Sequence, residues 1–137
     1  MLDVRRIRVD LEEVRAGLAR RGEPTEALDR VAALDAEQRR LSVERDGLRA
    51  EIRALSNEVG SLLREQRRDE AQELQEQSRL LGEQERQLDG RAEQVGEELR
   101  GLLLRIPNIP AADCPDGGGP QDNLVVRVEG FDPAGYD

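Results

Sequence analysis

Leucine recurs every seventh residue at Leu34, Leu41, Leu48, Leu55 and Leu62, and a second ladder runs through Leu74, Leu81, Leu88, Val95 and Leu102. Taking these as heptad d positions, the a positions are Val31, Gln38, Arg45, Ile52 and Val59, then Ala71, Ser78, Glu85, Ala92 and Leu99. Two ladders of equal length, interrupted near residue 67, predict an antiparallel helical hairpin. Asp69-Glu70-Ala71-Gln72 reads as a capping box opening the second helix. In an antiparallel pair, facing residue numbers have a constant sum and a packs on d, which permits sums of 133 or 140. A cap at Asp69 favours 133. The predicted layers then include Leu62 on Ala71, Val59 on Leu74, Ile52 on Leu81, Leu41 on Ala92, Leu34 on Leu99 and Val31 on Leu102. Mid-arm, Leu48 meets Glu85 and Arg45 meets Leu88, so the seam is weak there and Arg45 is expected to pair with Glu85. At ~1.5 Å per residue the arm is roughly 55–60 Å long.

The flanks follow from punctuation. No proline occurs between Pro24 and Pro107, whereas Pro107, Pro110, Pro115, Pro120 and Pro133 crowd the end, with a glycine run at Gly117–Gly119. Near the start, Asp10-Leu11-Glu12-Glu13 is a capping-box pattern, Leu11, Val14 and Leu18 recur at helical spacing, Gly22 is a natural stop, and Pro24 suits the first turn of the next helix. The expected fold is all-α: a long antiparallel coiled-coil hairpin over 24–105 with its turn about 65–69, a short N-terminal helix in 1–23 at its base, and an irregular linker over 106–137. Leu124, Val126 and Val128 alternate as a strand would, and 111–137 is expected to be poorly ordered in isolation.

Composition narrows the chemistry. All 21 basic residues are arginine, histidine is absent, and the two aromatics, Phe131 and Tyr136, lie in the last seven residues. His-dependent catalysis is therefore excluded. One cysteine, Cys114, excludes an intramolecular disulfide and a cysteine-rich zinc site, and reads as an exposed thiol in a reducing compartment. No apolar run approaches the ~20 residues of a membrane span. The formal charge is −9, so any anion must be bound by a local patch.

The heptad faces suggest where that patch lies. The g positions of the first helix are Glu37, Glu44, Glu51, Glu58 and Glu65, an acidic row. The opposite edge, formed by b and e positions of both helices, holds Arg39, Arg49, Arg53, Arg79, Arg86 and Arg100, with Ser42, Ser56, Gly60, Gly82 and Gly96 between them. Arg64, Arg67 and Arg68 add charge at the tip. Small residues among arginines let a phosphate backbone approach, and arginine grips phosphate through two N–H groups. The competing explanation is plain solvation of helix exteriors by alternating charge. The candidate phosphate-backbone contacts are Arg39, Arg49, Arg53, Arg64, Arg67, Arg68, Arg79 and Arg86.

Several segments resemble one family. Met1-Leu2-Asp3-Val4-Arg5-Arg6-Ile7-Arg8 is similar to the N-terminus of bacterial seryl-tRNA synthetases, and Arg20-Arg21-Gly22-Glu23 to the turn before their long arm. Leu55-Ser56-Asn57-Glu58-Val59-Gly60 resembles a distal segment of that arm. Ile106-Pro107-Asn108-Ile109-Pro110 resembles the place where the arm returns to the body, and Asp122-Asn123 with Arg127 the strand entry beyond it. The resemblance implies a coiled-coil arm that leans on the long variable arm of serine tRNA and positions its acceptor end. It also implies that ATP and Mg²⁺ belong to a catalytic domain that this chain lacks.

No phosphate loop, metal-ligand cluster or nucleophile–base pair stands in for that domain, so no cofactor is expected here and the chain alone is expected to be catalytically inactive. The leading expectation is a cytoplasmic tRNA-binding arm of a serine–tRNA ligase, with tRNA as partner and no membrane association. The alternative is a structural coiled coil that self-associates without binding RNA.

Overall fold

The computed structural model describes residues 1–125 and 130. Four α-helices follow in order: α1 (Val4–Val9), α2 (Leu11–Ala19), α3 (Glu26–Arg64) and α4 (Arg68–Arg105), with a short 3-10 turn at Pro120–Asp122. The helices α3 and α4 lie against each other as a hairpin, and α1 and α2 pack at its base. No helix among the described residues is long and apolar enough to cross a membrane. The expected strand positions Val126 and Val128 lie outside the described residues, while Leu124 is exposed and in no regular element.

The base holds two short helices where the sequence suggested one. Asp3 caps α1 by accepting from the Arg5 N–H at 2.8 Å. Asp10 then ends α1 and begins α2: its own N–H donates to the Arg6 carbonyl, and its carboxylate accepts from the Glu13 N–H at 3.3 Å. Only half of the expected capping box forms, because α1 already satisfies the Asp10 N–H, and the Glu13 carboxylate turns instead to Arg6 at 2.9 Å. Gly22, at φ +67°, stops α2 as expected. The Glu23 N–H donates to the Leu18 carbonyl and the Gly22 N–H to that of Ala19, so the last carbonyls of α2 are satisfied. Pro24 falls outside α3, whose N-cap is Thr25. Arg15 of α2 fixes this junction by donating to the Thr25 carbonyl and to Asp29.

Along the hairpin, every a and d position of both ladders is buried or half-buried. The cross-helix ion pairs define the register. Arg30–Glu98 and Glu37–Arg91 link g positions whose numbers add to 128, five below 133, as flanking positions of that register must. Arg49 lies 3.9 Å from Asp89 across the other edge, five above it. Burial is uneven. Val31, Leu34, Leu41, Val95 and Leu99 share one core with Ile7, Val14 and Leu18 of the short helices, which also draws in Leu28, Leu103 and Ile106 from outside the ladders. At the tip Leu62 and Ala71 are buried, but Leu48, Ile52, Leu55, Leu81 and Leu88 between them are only half-buried. The weak middle is real.

Two local expectations are corrected. The second helix begins at Arg68 with Arg67 as N-cap, not at an Asp69 cap. The turn is instead made by Gln66 at φ +64°, whose N–H donates to the Leu63 carbonyl while that of Arg67 donates to Leu62. That closing pattern ends α3 so late that Asp69 already lies inside the first turn of α4, where its charge still favours the helix N-terminus. Mid-arm, Arg45 pairs with Asp89 at 2.8 Å and Glu85 with Arg49 at 2.7 Å, so the expected Arg45–Glu85 pair does not form. Each arginine reaches one step past its facing layer, Arg45 outward to the exposed Asp89 and Arg49 inward to the half-buried Glu85, and the Arg45 Nε is left buried without a partner.

The base carries one buried charge. Asp35 is 4% exposed and accepts two hydrogen bonds from Arg8, at 2.7 and 2.9 Å, and a third from Arg39 at 3.2 Å. The Arg8 hydrogen bonds hold its carboxyl below the ordinary 3.8, against the opposing effect of burial. The clamp ties α1 to α3.

Two predictions follow from these contacts. Because the folded value is depressed, the Asp35 contribution is complete above the ordinary carboxylate range and is lost as pH falls through the folded value. Asp35→Asn is therefore expected to lower urea-denaturation stability by about 1–3 kcal/mol near neutral pH, the gap narrowing in acid below the ordinary value. Gln66→Gly relieves a left-handed backbone and is expected to raise stability by about 0.5–1 kcal/mol in the same assay.

Candidate nucleic-acid interface

The eight arginines proposed from the heptad faces are all exposed, but they divide by what they touch. Arg39 is drawn to Asp35. Arg49 bridges to Glu85 and Asp89. Arg67 is held by Glu70 and by Glu65 at 3.2 Å, and Arg79 by Glu76 at 2.8 Å and Glu83 at 3.4 Å. Hydrogen bonding within these pairs raises the Arg67 and Arg79 guanidiniums and lowers the Glu70 and Glu76 carboxyls. The other four have no carboxylate partner among the described residues. Arg64 donates to the Ser61 hydroxyl at 3.1 Å and Arg86 to the Gly82 carbonyl at 3.3 Å, while Arg53 and Arg68 make no side-chain hydrogen bond.

Arg53 and Arg86 occupy b positions on the same edge of the arm, with Ser56 and Gly82 nearby in that edge. The space over Gly82 is open: an added Cβ there meets no atom within 4 Å. Arg100 shares this edge and likewise has no carboxylate partner among the described residues. Sequence reasoning grouped all these arginines alike, since Arg49 finds its partners only across the hairpin. The spacing of Glu76, Arg79 and Glu83 did signal local pairing.

The opposite edge is less uniformly acidic than its row of glutamates suggests. Glu37 is neutralised by Arg91 and Glu44 is drawn to Arg40, while Arg30–Glu98 adds another balanced pair at the base. Glu51 and Glu58 remain unpaired among the described residues. The charge contrast between edges thus belongs to the distal half of the arm.

Beyond the arm, the linker is more tied down than its composition suggests. Ile109 packs on Gly17, where an added Cβ falls 2.5 Å from the Ile109 Cγ2. Arg20 holds Asp116 and the Cys114 carbonyl, and Arg21 holds the Asn108 carbonyl at 2.9 Å. The glycine run is folded around Asp122, whose carboxylate accepts from the Gly118 and Gly119 N–H groups. This latch ties the portion within 111–122 back to the base of the arm. Cys114 is exposed and free. No group of His, Cys, Asp and Glu among the described residues is arranged to hold a metal ion.

The seryl-tRNA synthetase N-terminal domain model matches residues 1–110, most of the chain. The chain belongs to that family. A serine–tRNA ligase of Herpetosiphon aurantiacus is 38% identical over 130 residues, covering 95% of this chain and 30% of the relative. One from Symbiobacterium thermophilum is 36% identical over 127 residues, covering 93% and 30%. Among solved structures, seryl-tRNA synthetase from Pyrococcus horikoshii, crystallised with ATP, superposes with a TM-score of 0.80 at 30% identity, over 93% of this chain and 28% of that one. The chain thus spans about 30% of the length of these ligase relatives. The family domain ends at Pro110, at the latch just described.

The division among the arginines has a measurable consequence. Arg53→Glu and Arg86→Glu are expected to change urea-denaturation stability by less than about 0.5 kcal/mol. Arg49→Glu, which sets a third acid beside Glu85 and Asp89, is expected to lower it by up to about 1 kcal/mol.

Proposed function

We propose that this chain is a tRNA-binding arm that contacts the long variable arm of a serine tRNA and positions its acceptor end for aminoacylation by the catalytic domain of a serine–tRNA ligase. Family membership supplies the class of ligand. The observation that carries the reading to a surface is the b/e edge, where Arg53 and Arg86 keep guanidiniums free of carboxylates beside the open backbone at Gly82.

The physics suits structured RNA. A helix of 39 residues forms a rod of about 58 Å, long enough to lie along an RNA stem, and its edge offers arginines to phosphates without an aromatic to stack on a base. Recognition by shape and backbone is what such a surface provides. Arg64 and Arg68 extend the contact towards the tip. Arg39, Arg49, Arg67 and Arg79 are already engaged, so each must exchange a carboxylate for a phosphate, which weakens its share. The net charge of −9 opposes binding at long range. Affinity of the chain by itself is accordingly expected to be modest and steeply salt-dependent.

The competing reading, a coiled coil that self-associates without RNA, draws on the half-buried leucines of the middle seam. The unpaired acids on that side oppose it.

A fluorescence titration tests the proposal. A tRNA with a long variable arm is expected to bind more tightly than one without, with a slope of log K against log salt of about −2 to −4 for two to four phosphate contacts. Arg53→Glu combined with Arg86→Glu is expected to remove most of that preference. Equal affinity for the two tRNAs overturns the specific claim.

A further inference from the structure

The two sides of the α3–α4 seam are closed differently in the middle of the arm. On the b/e side, Arg45 and Arg49 cross to Asp89 and Glu85 and bridge the seam with ion pairs. On the g side, the base is bridged by Arg30–Glu98 and Glu37–Arg91. The same register sets Glu44 opposite Gln84 and Glu51 opposite Gln77, so no cation crosses the seam at either rung; Glu44 is held by Arg40 of its own helix, and Glu51 has no ion pair among the described residues. There the seam stays open, as adjoining shallow grooves of about 540 and 270 Å³. Their floor is Leu48 and Leu88, then Leu55 and Leu81, with Leu80 on the rim and 47% exposed. Every ionisable residue lining the two grooves is acidic: Glu44 and Glu51.

We propose that this open side docks a basic amphipathic helix of a protein partner. The leucine floor calls for an apolar stripe at coiled-coil spacing, and the incomplete rungs call for arginine or lysine on its flanks. From Glu44 to Leu55 the groove spans twelve residues of α3, about 17 Å, or three turns of an incoming helix. Glu51 lines both grooves and makes no ion pair among the described residues, which places it at the centre of the contact. A nucleic acid is refused by the same carboxylates. A second copy related by a two-fold axis sets Glu44, Glu51 and Glu58 against their own counterparts, a like-charge contact that disfavours it. A contact of three turns is smaller than a stable interface, so binding is transient. The surface lies across the rod from Arg53 and Arg86, and docking there does not depend on the RNA reading.

The test uses the full chain and a labelled synthetic peptide of about three heptads, with leucine at a and d, arginine at e and g, and alanine elsewhere. Anisotropy is read near physiological ionic strength, and a companion peptide carries glutamate in place of arginine. Saturable one-to-one binding of the arginine peptide is expected, absent for the glutamate peptide. Glu51→Arg is expected to weaken it about tenfold, and Glu97→Arg, the same charge change on an exposed position outside the grooves, less than about twofold. Unchanged thermal melts of both variants exclude unfolding as the cause. Equal weakening by the two substitutions, or no saturation, overturns the proposal. So does a dimer in sedimentation that the peptide dissociates, which assigns the groove to a second copy.

Discussion

Leucines spaced by seven on two antiparallel helices can meet in more than one register, and the consequences for this molecule hang on which one is taken. The tight reversal at Gln66, with the Arg67 N–H closed onto Leu62, settles it. With residue numbers adding to 133 across the core, Arg30 meets Glu98, Arg91 meets Glu37, and Arg45 and Arg49 reach Asp89 and Glu85. Those pairings consume cations at the base of one edge and in the middle of the other. What they leave over, Arg53 and Arg86 on one side and Glu51 on the other, gives the distal arm its two unlike faces. A slip of one heptad redistributes every one of these partners.

Energetically the arm leans on its base. A fully buried leucine stabilises by about 1.5–3 kcal/mol, a half-buried one by less, while each ordered residue costs about 1–2 kcal/mol of backbone entropy. Between Leu41 and Leu62 no α3 residue is fully buried, so the middle is held by helix propensity and by cooperativity with its two ends. The core formed with Ile7, Val14 and Leu18, clamped by Arg8 on Asp35, anchors one end. The same short helices grip Ile109 and, through Arg20, Asp116. The direction in which the chain leaves the arm is therefore fixed by the element that anchors the arm.

Much of this was written in the sequence. The heptads placed both long helices and the layer of Leu62 on Ala71, and Gly22 marked its stop because only a left-handed residue closes that turn. The tip was misread because the left-handed residue there is glutamine, which carries no such signature, while Asp69 advertised a cap it does not form. The break at Asp10 was missed because one aspartate serves both helices. Among the candidate arginines, the local partners of Arg79 were legible from spacing. Those of Arg49, and the Arg20 latch on the linker, are tertiary and become visible only once the register and the base are in place. Family likeness named the ligand class, but it did not distinguish paired arginines from free ones.

The register is open to direct trial by oxidative cross-linking in a Cys114→Ser background. Cysteines at Val59→Cys and Leu74→Cys face each other in the register described, whereas Val59→Cys and Leu81→Cys do so after a slip of one heptad. Rapid intramolecular disulfide formation in the first pair, and little in the second, is the expected outcome. The reverse result contradicts the account, and with it the assignment of which arginines the arm leaves free.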